Sequence, residues 1–558
     1  MDNYAISENF SLLAKLMDIH GDNSFKAKSY ASAAFTIDKL PASLADLAPE
    51  KIFAIRGIGD AIGKKIVEQI STGQLQLLNE YLEKTPPGIL EMLAIKGIGP
   101  KKIATIWKEL EIESLGELLY ACNENRLTLY KGFGEKTQEN IRTNIEFYFG
   151  ALGNYLYQQM ESFAATVTAQ LQQDFPDEQF MLTGEFRRQM EIIHSLDWVT
   201  TLSLQKIQQY LLEKEFAVLE EREGFISLKG KEHVTLGFYS ADKNSFSGRV
   251  FETSCSEAFL DAWNNLDKTQ LYKTLPDEEA IFTRAGIPFI PAAQREDPVI
   301  LQKTNTGNTA PIISQNDIRG IIHSHSNWSD GVHSLEQMAN AAKEKGLEYL
   351  VISDHSKSAF YANGLQEDRI RAQHSQIEEL NSRLAPFKIF KSIESDILND
   401  GNLDYSNDVL ASFDLVIGSI HSNLKMTEEK AMMRLLKAIE NPYTSILGHM
   451  TGRLLLSRNG YPVDHLKIID ACAANNVVIE LNAHPRRLDM DWRWISRAID
   501  KGVLISIDPD AHSIDGFTDC NYGVLVAQKA GLTREKNLSS FSLVDFMSFI
   551  AVQHRKRP

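Results

Sequence analysis

The chain has 558 residues, 43% of them hydrophobic and 24% charged, with a formal net charge of −16 at pH 7. This length allows three or four domains, and no apolar run approaches the roughly 20 residues of a membrane span. The acidic balance argues against a protein that coats nucleic acid by bulk electrostatics, and four scattered cysteines form neither a disulfide framework nor a zinc pattern. Because the first residues also lack the basic start and apolar core of a signal peptide, we expect a cytoplasmic protein without a membrane partner.

Residues 1–150 carry a repeated turn between short amphipathic helical patterns. A Gly-x-Gly turn stands between an apolar residue and a helix in "AIRGIGDAIGKKIVEQI", "AIKGIGPKKIATIW" and "LYKGFGEKTQENI". The first glycine closes a tight hairpin and the second lets another backbone approach, while the following helix N-terminus can bind a phosphate oxygen. One such turn is equally typical of plain helix packing, but three copies beside basic residues predict helix-hairpin-helix motifs that grip the DNA backbone. The predicted DNA contacts are Gly57, Gly59, Gly97, Gly99, Gly132, Gly134, Lys96 and Lys131.

The stretch "LTGEFRRQMEIIHSLDWVT" (182–200) has the pattern of a nucleotidyltransferase site in which a carboxylate is missing. A glycine, a polar residue, an aromatic residue and two arginines suit a turn that faces phosphate. About ten residues later, two alternating carboxylates on a strand would hold a pair of metal ions, and here the strand carries Ser195 and Asp197. Three interpretations are open at this point: a working polymerase, a relic, or a chance likeness.

Beyond a polar stretch near residue 300, apolar β-branched runs recur, and each ends in polar residues. The runs are "GIIHSHS", "YLVISDHS", "FKIFKSIESD", "DLVIGSIHS", "TSILGHM", "VVIELNA" and "VLISIDPDAHS", several of them separated by helical patterns such as "SLEQMANAAKEKG". Seven strands with polar residues at their carboxyl ends predict a β/α barrel, in which those ends converge on one face. We therefore expect the chemistry of the protein at that face.

Histidines and carboxylates fall at the ends of these predicted strands. Ten of the 14 histidines lie between His323 and His512. Nitrogen and oxygen ligands without thiolates suit Mn, Fe or Zn, and the number of ligands suits three ions. Such a cluster makes hydroxide available at neutral pH and neutralises phosphate charge, so phosphoester hydrolysis is the predicted reaction. Arg453 in "GHMTGR" is either a clamp for the substrate phosphate or a surface arginine. The predicted metal ligands are His323, His325, Asp330, His355, Glu394, His421, His449, Asp510 and His512.

Across essentially its whole length, the chain resembles the bacterial family X DNA polymerases that carry a C-terminal polymerase-and-histidinol-phosphatase (PHP) domain. The resemblance rests on "HSHSNWSDG", "ISDHS", "SIESDIL", "SIHS", "GHMTGRLL" and "DPDAHS", together with the hairpin repeats. It implies that the nine predicted ligands fill the PHP metal positions and that the domain is a Mn²⁺-dependent 3′–5′ exonuclease, also credited with AP-endonuclease and 3′-phosphatase activities. Three divalent ions are expected, with manganese as the metal and zinc or iron as alternatives.

The resemblance also implies a role in DNA repair in the bacterial cytosol, in association with the nucleoid. The expected partner is gapped, single-stranded or 3′-ended duplex DNA, and no obligate protein partner is inferred. The expected fold is multidomain α/β, with helix-hairpin-helix domains, a nucleotidyltransferase-like α+β palm and thumb, and a distorted (β/α)7 PHP barrel. The predicted domains are 1–85, lyase-like with a hairpin; 86–150, further hairpins; 151–297, degenerate palm and thumb; 298–318, linker; and 319–558, the PHP metallo-phosphoesterase.

In this family the stretch at 182–200 reads Gly-Ser-x-Arg-Arg followed by Asp-x-Asp, with a third aspartate on a later strand. Here Glu185 replaces the serine, Ser195 replaces the first aspartate, and Thr235 stands where the third is expected. Two of three metal ligands are therefore missing, which predicts a relic that holds no Mg²⁺. The alternative is an active gap-filling polymerase with divergent metal ligands. The degenerate site comprises Gly184, Arg187, Arg188, Ser195, Asp197 and Thr235.

Related polymerases also have an N-terminal lyase domain whose lysine forms a Schiff base with deoxyribose phosphate. The resemblance places that lysine at Lys65, with Tyr30 and Lys26 in the same pattern. The alternative for Lys65 is an ordinary solvent-facing helix lysine. A small-molecule phosphatase is a third function class, and it leaves the three hairpins without a purpose.

Overall fold

The computed structural model describes residues 3–38, 40, 43–151, 153–230, 233–266, 270–303 and 311–558. The chain divides into two compact units. The first comprises Met1–Asn123 and Tyr130–Glu146, and the second comprises Glu124–Leu129 and Phe147–Pro558. No helix in the described part of the chain is long and apolar enough to cross a lipid bilayer.

The first unit consists of helices joined by turns. Its helices are α1 (Asn3–His20), α2 (Ser24–Asp38), α3 (Pro49–Phe53), α4 (Asp60–Thr72), α5 (Gln76–Lys84), α6 (Pro87–Met92), α7 (Pro100–Lys108), α8 (Leu115–Asn123) and the greater part of α9 (Glu135–Ala151). α1 packs against α2, and the small buried side chains Ala27, Ala33 and Ala34 on α2 let the two backbones approach closely. Proline stands in the first turn of α3, α6 and α7, where its missing N–H leaves no helical hydrogen bond unmade.

The three Gly-x-Gly turns have a common structure. In each, the first glycine has a positive φ, of +94° at Gly57, +92° at Gly97 and +96° at Gly132. Residues with a Cβ are unfavourable in that left-handed region, which explains the requirement for glycine. Both glycines of each turn are exposed, whereas the residue between them is buried and anchors the turn. The anchoring residues are Ile58, Ile98 and Phe133.

Residues 153–303 of the second unit fold around a five-stranded mixed sheet. Their elements are β1 (Tyr155–Leu156), α10 (Tyr157–Asp174), β2 (Phe180–Thr183), α11 (Gly184–Arg187), β3 (Ile192–Ile193), β4 (Leu196–Thr200), α12 (Leu204–Leu212), β5 (Ala217–Arg222), β6 (Phe225–Lys229), β7 (Thr235–Ser240), α13 (Phe246–Thr253), α14 (Glu257–Leu266), α15 (Glu278–Ala285) and α16 (Ile300–Lys303). The strand order is β2-β4-β7-β6-β5, with β4 and β7 parallel and the other neighbours antiparallel. Trp198 on β4 stacks on Phe238 of β7 at 5.4 Å between ring centres, so the core lies on this face of the sheet.

The remainder of the second unit is built on a seven-stranded parallel sheet whose strands follow chain order. Its elements are β8 (Gly320–Ile321), α17 (Leu335–Glu344), β9 (Tyr349–Ile352), α18 (Glu367–Leu384), β10 (Lys388–Asp396), α19 (Asn407–Leu410), β11 (Leu415–Ser419), α20 (Glu428–Ile439), β12 (Ile446–Leu447), α21 (His465–Asn475), β13 (Val478–Asn482), α22 (Trp492–Asp500), β14 (Ile505–Asp508), α23 (Cys520–Lys529) and α24 (Leu543–Arg555). Because all neighbouring strands are parallel, their carboxyl ends meet on one face.

The two edge strands approach each other and nearly close the sheet into a barrel. Beyond β8 and β14, Ser324 pairs with Ala511 in a parallel bridge, and the amide of His325 donates to the Ala511 carbonyl over 2.8 Å. Side chains alternate between the two faces of the strands. On β9, Tyr349 belongs to the cluster that also contains Phe546 of α24, and its neighbour Leu350 packs into the larger core with the other helices. Both faces of the strands are therefore buried, as parallel sheets require.

The predicted fold class is confirmed, because the C-terminal region forms the seven-stranded parallel barrel and the N-terminal region forms the hairpins. The domain boundaries stay predictions. Residues 124–129, assigned from the sequence to the hairpin region, group with the second unit. The predicted linker 298–318 contains α16, and its residues 304–310 lie outside the described residues.

Candidate metal centre

The nine predicted ligands converge on the carboxyl-end face of the barrel. Eight of them lie at the end of a barrel strand or in the residues that follow it, and Asp330 lies in the loop between β8 and α17. Eight of the nine residues are buried, and His421 is partly buried with 5% of its side-chain surface accessible. Burying this many titratable groups is costly unless they are paired or bind metal.

The donor atoms of these residues lie close enough together to share ions. Three overlapping groups have ligand atoms that all lie within 4.8 Å of one another. They are His325 with Asp330, His355 and His512; His323 with His325, Glu394 and Asp510; and His355 with Glu394 and His421. His449 joins the centre through its Nε2, which lies 3.0 Å from Glu394 Oε1.

The donor set fits divalent metal ions. Among the described residues, the buried Nε2 atoms of His323, His355 and His512 have no hydrogen-bond partner. Buried polar atoms are rarely left so, and an unpartnered imidazole nitrogen beside carboxylate oxygens is the arrangement that metal ligation uses. Since the ligands offer nitrogen and oxygen and no sulfur, the chemistry matches manganese, iron or zinc.

Two further carboxylates, which were not predicted from the sequence, contact the Nδ1 atoms of two predicted ligand histidines. His323 lies with Nδ1 2.9 Å from Glu480 Oε2 on β13, while its Nε2 is 3.3 Å from Asp510 Oδ1. His421 contacts Asp396, the last residue of β10, through Nδ1 in the same manner. A carboxylate on the second nitrogen fixes ring orientation and makes the histidine a better ligand. A sequence signal was present for Asp396, because it alternates with Glu394.

The contacts also set the ionisation of the ligands. Burial would raise the pKa of Asp330, but the two imidazoles beside it hold that pKa well below its ordinary value. Burial and neighbouring imidazoles lower the pKa of His325 to about 3. An ionised carboxylate and a neutral imidazole are the forms that bind metal. Burial opposes the charged form of His421, yet the adjacent carboxylates raise its pKa to about 10.

A buried network fixes the loop that carries Asp330. Asp354, two residues after the end of β9 and one residue before the predicted ligand His355, accepts from the amide of Ser326 over 2.8 Å and from the Ser329 hydroxyl. Its other oxygen accepts from Gln373 Nε2 of α18 over 2.6 Å. The loop after β8 is therefore held to the next strand and helix, which places Asp330 rigidly.

Arg453, predicted as a phosphate clamp or a surface residue, has its guanidinium engaged within the fold. Nη1 lies 2.6 Å from Asp491 Oδ2, and Nε donates to the Arg487 carbonyl over 2.9 Å. Nη2 donates to the Leu488 carbonyl. These contacts bind the loop after β12 to the loop after β13, and the clamp role stays a prediction.

The residues of the degenerate nucleotidyltransferase site do lie together. Asp197 on β4 is paired with Gly237 on β7, so Ser195, Asp197 and Thr235 point to one side of the sheet. The Ser195 hydroxyl donates to Asp197 Oδ2 over 3.1 Å. Burial raises the pKa of Asp197 to about 6, and nearby Glu185 adds to the shift. A single buried carboxylate with a raised pKa is a poor site for a pair of divalent ions.

The two arginines of this site are paired with acidic side chains. Arg187 contacts both oxygens of Glu278 on α15 and donates to the Ser254 hydroxyl over 2.7 Å. Arg188 Nε lies 2.6 Å from Glu296 Oε1. The charges that would meet a triphosphate are thus already satisfied by carboxylates of the same chain.

Lys65, the predicted lyase lysine, lies on α4 next to an acidic residue. Its Nζ is 2.6 Å from Glu68 Oε2, with 29% of the lysine side chain exposed. Glu68 also accepts from the amide of Gln76 over 2.9 Å. The lyase role of Lys65 stays a prediction.

Family comparisons agree with this architecture. A PHP domain family matches residues 322–484, a helix-hairpin-helix domain family matches residues 1–75, and a SAM-like helix-hairpin-helix tandem family matches residues 89–143. The barrel and the hairpins therefore define a protein that joins a C-terminal PHP domain to N-terminal helix-hairpin-helix domains.

Relatives extend the match to the full chain. The DNA polymerase/3′-5′ exonuclease PolX of Bacillus subtilis (strain 168) is 31% identical over 564 aligned residues, which cover 96% of this chain and 97% of that protein. The chain belongs to this PolX-type polymerase/exonuclease family, which confirms the predicted resemblance. A probable phosphatase of Thermoanaerobacter sp. (strain X514) is 25% identical over 39% of this chain and 89% of its own length. The probable phosphatase YcdX of Escherichia coli O81 (strain ED1a) is 26% identical over 40% and 92%.

Proposed function

We propose that this chain is a metal-dependent DNA phosphoesterase that acts as a 3′–5′ exonuclease at the barrel face. The observation that carries the proposal is the convergence of nine mostly buried histidine and carboxylate side chains, several with unpartnered nitrogens, on that face. Membership of a family named for polymerase and 3′-5′ exonuclease activity supports it. AP-endonuclease and 3′-phosphatase activities would use the same centre, and the similarity to shorter proteins named probable phosphatases fits the latter.

The proposed ligands are the nine predicted residues, and the overlapping groups suit three ions, with manganese as the metal and zinc or iron as alternatives. Bound divalent ions would supply hydroxide at neutral pH and neutralise phosphate charge. Other side chains of the protein position these ligands. Glu480 and Asp396 hold the rings of His323 and His421 toward the centre, and the Asp354 network keeps the Asp330 loop in place.

The hairpins are the proposed DNA-binding elements, and contact with DNA is expected at their exposed glycine turns. At Gly59, Gly99 and Gly134 an added Cβ would meet nothing within 4 Å, so backbone N–H groups at the following helix starts are open to a phosphate oxygen. Lys96 and Lys131 are exposed beside these turns. Such contacts grip the backbone without reading bases, which suits gapped, single-stranded or 3′-ended DNA in repair. A cytosolic location at the nucleoid is part of this proposal.

The nucleotidyltransferase-like region is proposed to be a relic that positions DNA and does not add nucleotides. Ser195 and Thr235 supply neutral oxygens where carboxylates would be needed, and Arg187 and Arg188 are held by acids. An active gap-filling polymerase is the second candidate, favoured by similarity to a named DNA polymerase along nearly the full chain.

One pair of assays on a 3′-labelled gapped duplex separates these functions. The double variant His323→Ala, His325→Ala should slow 3′-end trimming with Mn²⁺ by at least about a thousandfold, because removing ligands removes several kcal/mol of transition-state stabilisation. His465→Ala is the matched control, since this histidine stacks on Trp494 and is not one of the nine predicted ligands. Trimming that survives the double change would overturn the nuclease proposal.

Primer extension is then measured in the His323→Ala, His325→Ala background, so that trimming cannot hide synthesis. We expect no template-directed addition with Mg²⁺ or Mn²⁺. Robust gap filling that Asp197→Ala abolishes would establish the second candidate instead and show that another carboxylate has replaced the missing ligands.

A further inference from the structure

A short segment from outside the barrel reaches the metal centre. This segment, called here the Glu124 segment, is Glu124–Leu129; it follows the end of α8 and contains a 3-10 turn at Arg126–Leu129. It belongs to the same compact unit as the barrel, although residues of the first unit flank it in the chain. Glu124 itself is 2% exposed, which is unusual for a glutamate without a structural or functional partner.

The partner of Glu124 is the ligand histidine His512. Glu124 Oε2 lies 2.6 Å from His512 Nδ1. The opposite nitrogen of that ring, Nε2, lies 3.3 Å from Asp330 Oδ1 and is turned into the first ligand group. The Asp510 carbonyl also lies 2.9 Å from Nδ1. Glu124 therefore stands on the side of the ring that faces away from Asp330.

This pair repeats an arrangement found twice more in the centre. His323 and His421 each have a buried carboxylate at Nδ1 and direct Nε2 inward. Those carboxylates, Glu480 and Asp396, come from strands of the barrel, whereas the partner of His512 is supplied by the Glu124 segment.

The Glu124 segment is fixed against the barrel by a second contact. The Arg126 guanidinium lies 5.2 Å from the ring centre of Tyr361, which follows β9. Arg126 Nε lies 3.6 Å from Asp330 Oδ2. Two neighbouring residues of the segment thus contact two ligands of the same group, so the placement of Glu124 does not depend on one ion pair.

We propose that Glu124 is a positioning residue that completes the metal centre by holding His512 in its ligating orientation. The inference rests on the proposed function in that it takes the nine residues as metal ligands, but it concerns metal binding and not hydrolysis. The physical reason is that a carboxylate at the second nitrogen fixes the ring and raises its basicity, an effect typically worth about 10- to 100-fold in metal affinity or activity. The centre is therefore composite, and the PHP barrel alone does not contain all of it.

The test is Mn²⁺ binding by the full-length chain, measured by equilibrium dialysis and by the loss of the free-Mn²⁺ electron paramagnetic resonance signal. Glu124→Ala should weaken at least one Mn²⁺ by about 10- to 100-fold. Glu480→Ala is the positive comparison and should weaken binding to a similar extent. Glu109→Ala, at an exposed glutamate, should bind as the unchanged chain does.

Conservative variants separate positioning from folding. Glu124→Gln keeps a polar oxygen next to Nδ1 and should retain more affinity than Glu124→Ala, while thermal unfolding in the presence of a chelator should be alike for the two. Glu124→Ala that binds Mn²⁺ as tightly as the unchanged chain overturns the proposal, even if its trimming is slower. Glu124→Ala and Glu124→Gln that unfold early and lose Mn²⁺ equally also overturn it, because the role is then structural. If the unchanged chain binds Mn²⁺ but does not trim DNA, the proposed function fails and the Glu124 comparison stands.

Discussion

The groups around Asp197 determine the pKa of its carboxyl. It is packed between two glycines, because a Cβ added at Gly184 or at Gly237 would fall 2.7 Å or 2.2 Å from its oxygens. Its hydrogen-bond donor is the Ser195 hydroxyl, which is neutral. Burial consequently dominates and raises the pKa of Asp197 to about 6. Asp197 is therefore closely enclosed by backbone, and no positively charged group donates a hydrogen bond to it among the described contacts.

Asp197→Asn should stabilise the protein at neutral pH. A carboxyl whose pKa is raised in the folded state, from 3.8 to about 6, destabilises the fold when it is ionised. This destabilisation disappears as the pH falls through 6 toward 4, because the carboxyl becomes protonated. We expect a gain of about 1 to 3 kcal/mol at pH 7.5 that disappears near pH 4. Thermal unfolding of both forms across this range checks it. A loss of stability in the asparagine form, larger when Mg²⁺ is added, would mean that Asp197 binds metal and the region is not a relic.

The positions of the candidate ligands on periodic strands were predictable, whereas the carboxylates that contact them were less so. His323 and His325 alternate after an apolar run and could be placed on one face from spacing alone. Glu480 sits inside a strand, where a lone acid has no sequence feature that separates it from an ion-paired residue. Glu124 is separated from its partner His512 by most of the chain, and neither local spacing nor composition encodes that contact.

At the level of elements, the hairpins divide two roles between their glycines. The first glycine has the left-handed φ that shapes the turn, and the second has an ordinary φ and open space around it. At the second hairpin these are Gly97, with φ of +92°, and Gly99, with φ of −93°.

Gly97→Ala should therefore mainly affect stability, whereas Gly99→Ala should mainly affect DNA binding. Alanine at position 97 forces a Cβ into the left-handed region and should lower stability by about 1 to 2 kcal/mol. Alanine at position 99 should leave stability unchanged but weaken DNA binding, because its methyl group hinders the approach of a phosphate to the helix start. Thermal unfolding and fluorescence anisotropy on gapped DNA at several salt concentrations measure both. Equal DNA affinity for Gly99→Ala and the unchanged chain would place the DNA contact elsewhere.

The strands were accessible to sequence analysis because parallel strands buried on both faces read as short β-branched runs. All seven predicted runs coincide with β8–β14. The α24 helix was not predicted as part of the barrel, because its role depends on which cavity it fills. The linker was predicted from polar composition, which does not exclude a short helix such as α16.

At the scale of the whole second unit, the barrel is joined to the nucleotidyltransferase-like region through a buried lysine. Lys529 at the end of α23 donates to the Arg188 carbonyl over 2.6 Å and to the Ala293 carbonyl over 3.4 Å. Burial lowers the pKa of Lys529 to about 8, although Glu296 nearby partly offsets the shift. The order of domains could be predicted from motifs, but this contact could not, because a lysine on an amphipathic helix is ordinarily exposed.

Lys529 makes the free energy of unfolding of the second unit depend on pH in the alkaline range. Its pKa is 10.5 in the unfolded chain and about 8 in the folded one, so the unfolded state binds more protons between these values and stability rises with pH. The difference in unfolding free energy between the unchanged chain and Lys529→Met should therefore increase by about 1 to 3 kcal/mol from pH 7.5 to pH 10. Denaturant midpoints at these pH values give the difference. A constant difference would show that Lys529 keeps its full charge when buried.

The α24 helix has a consequence for the order in which the protein is made. Its Phe546 fills the barrel and stacks on Tyr349 at 4.3 Å between ring centres, yet it leaves the ribosome after all seven strands. At about 5–20 residues per second, the roughly 400 residues from Glu146 to Phe546 take about 20 to 80 s to synthesise. Throughout that interval a nascent chain can fold its hairpins while the candidate metal centre of the unfilled barrel is unfinished. Translation itself thus delays completion of the candidate metal centre until after the hairpins have formed.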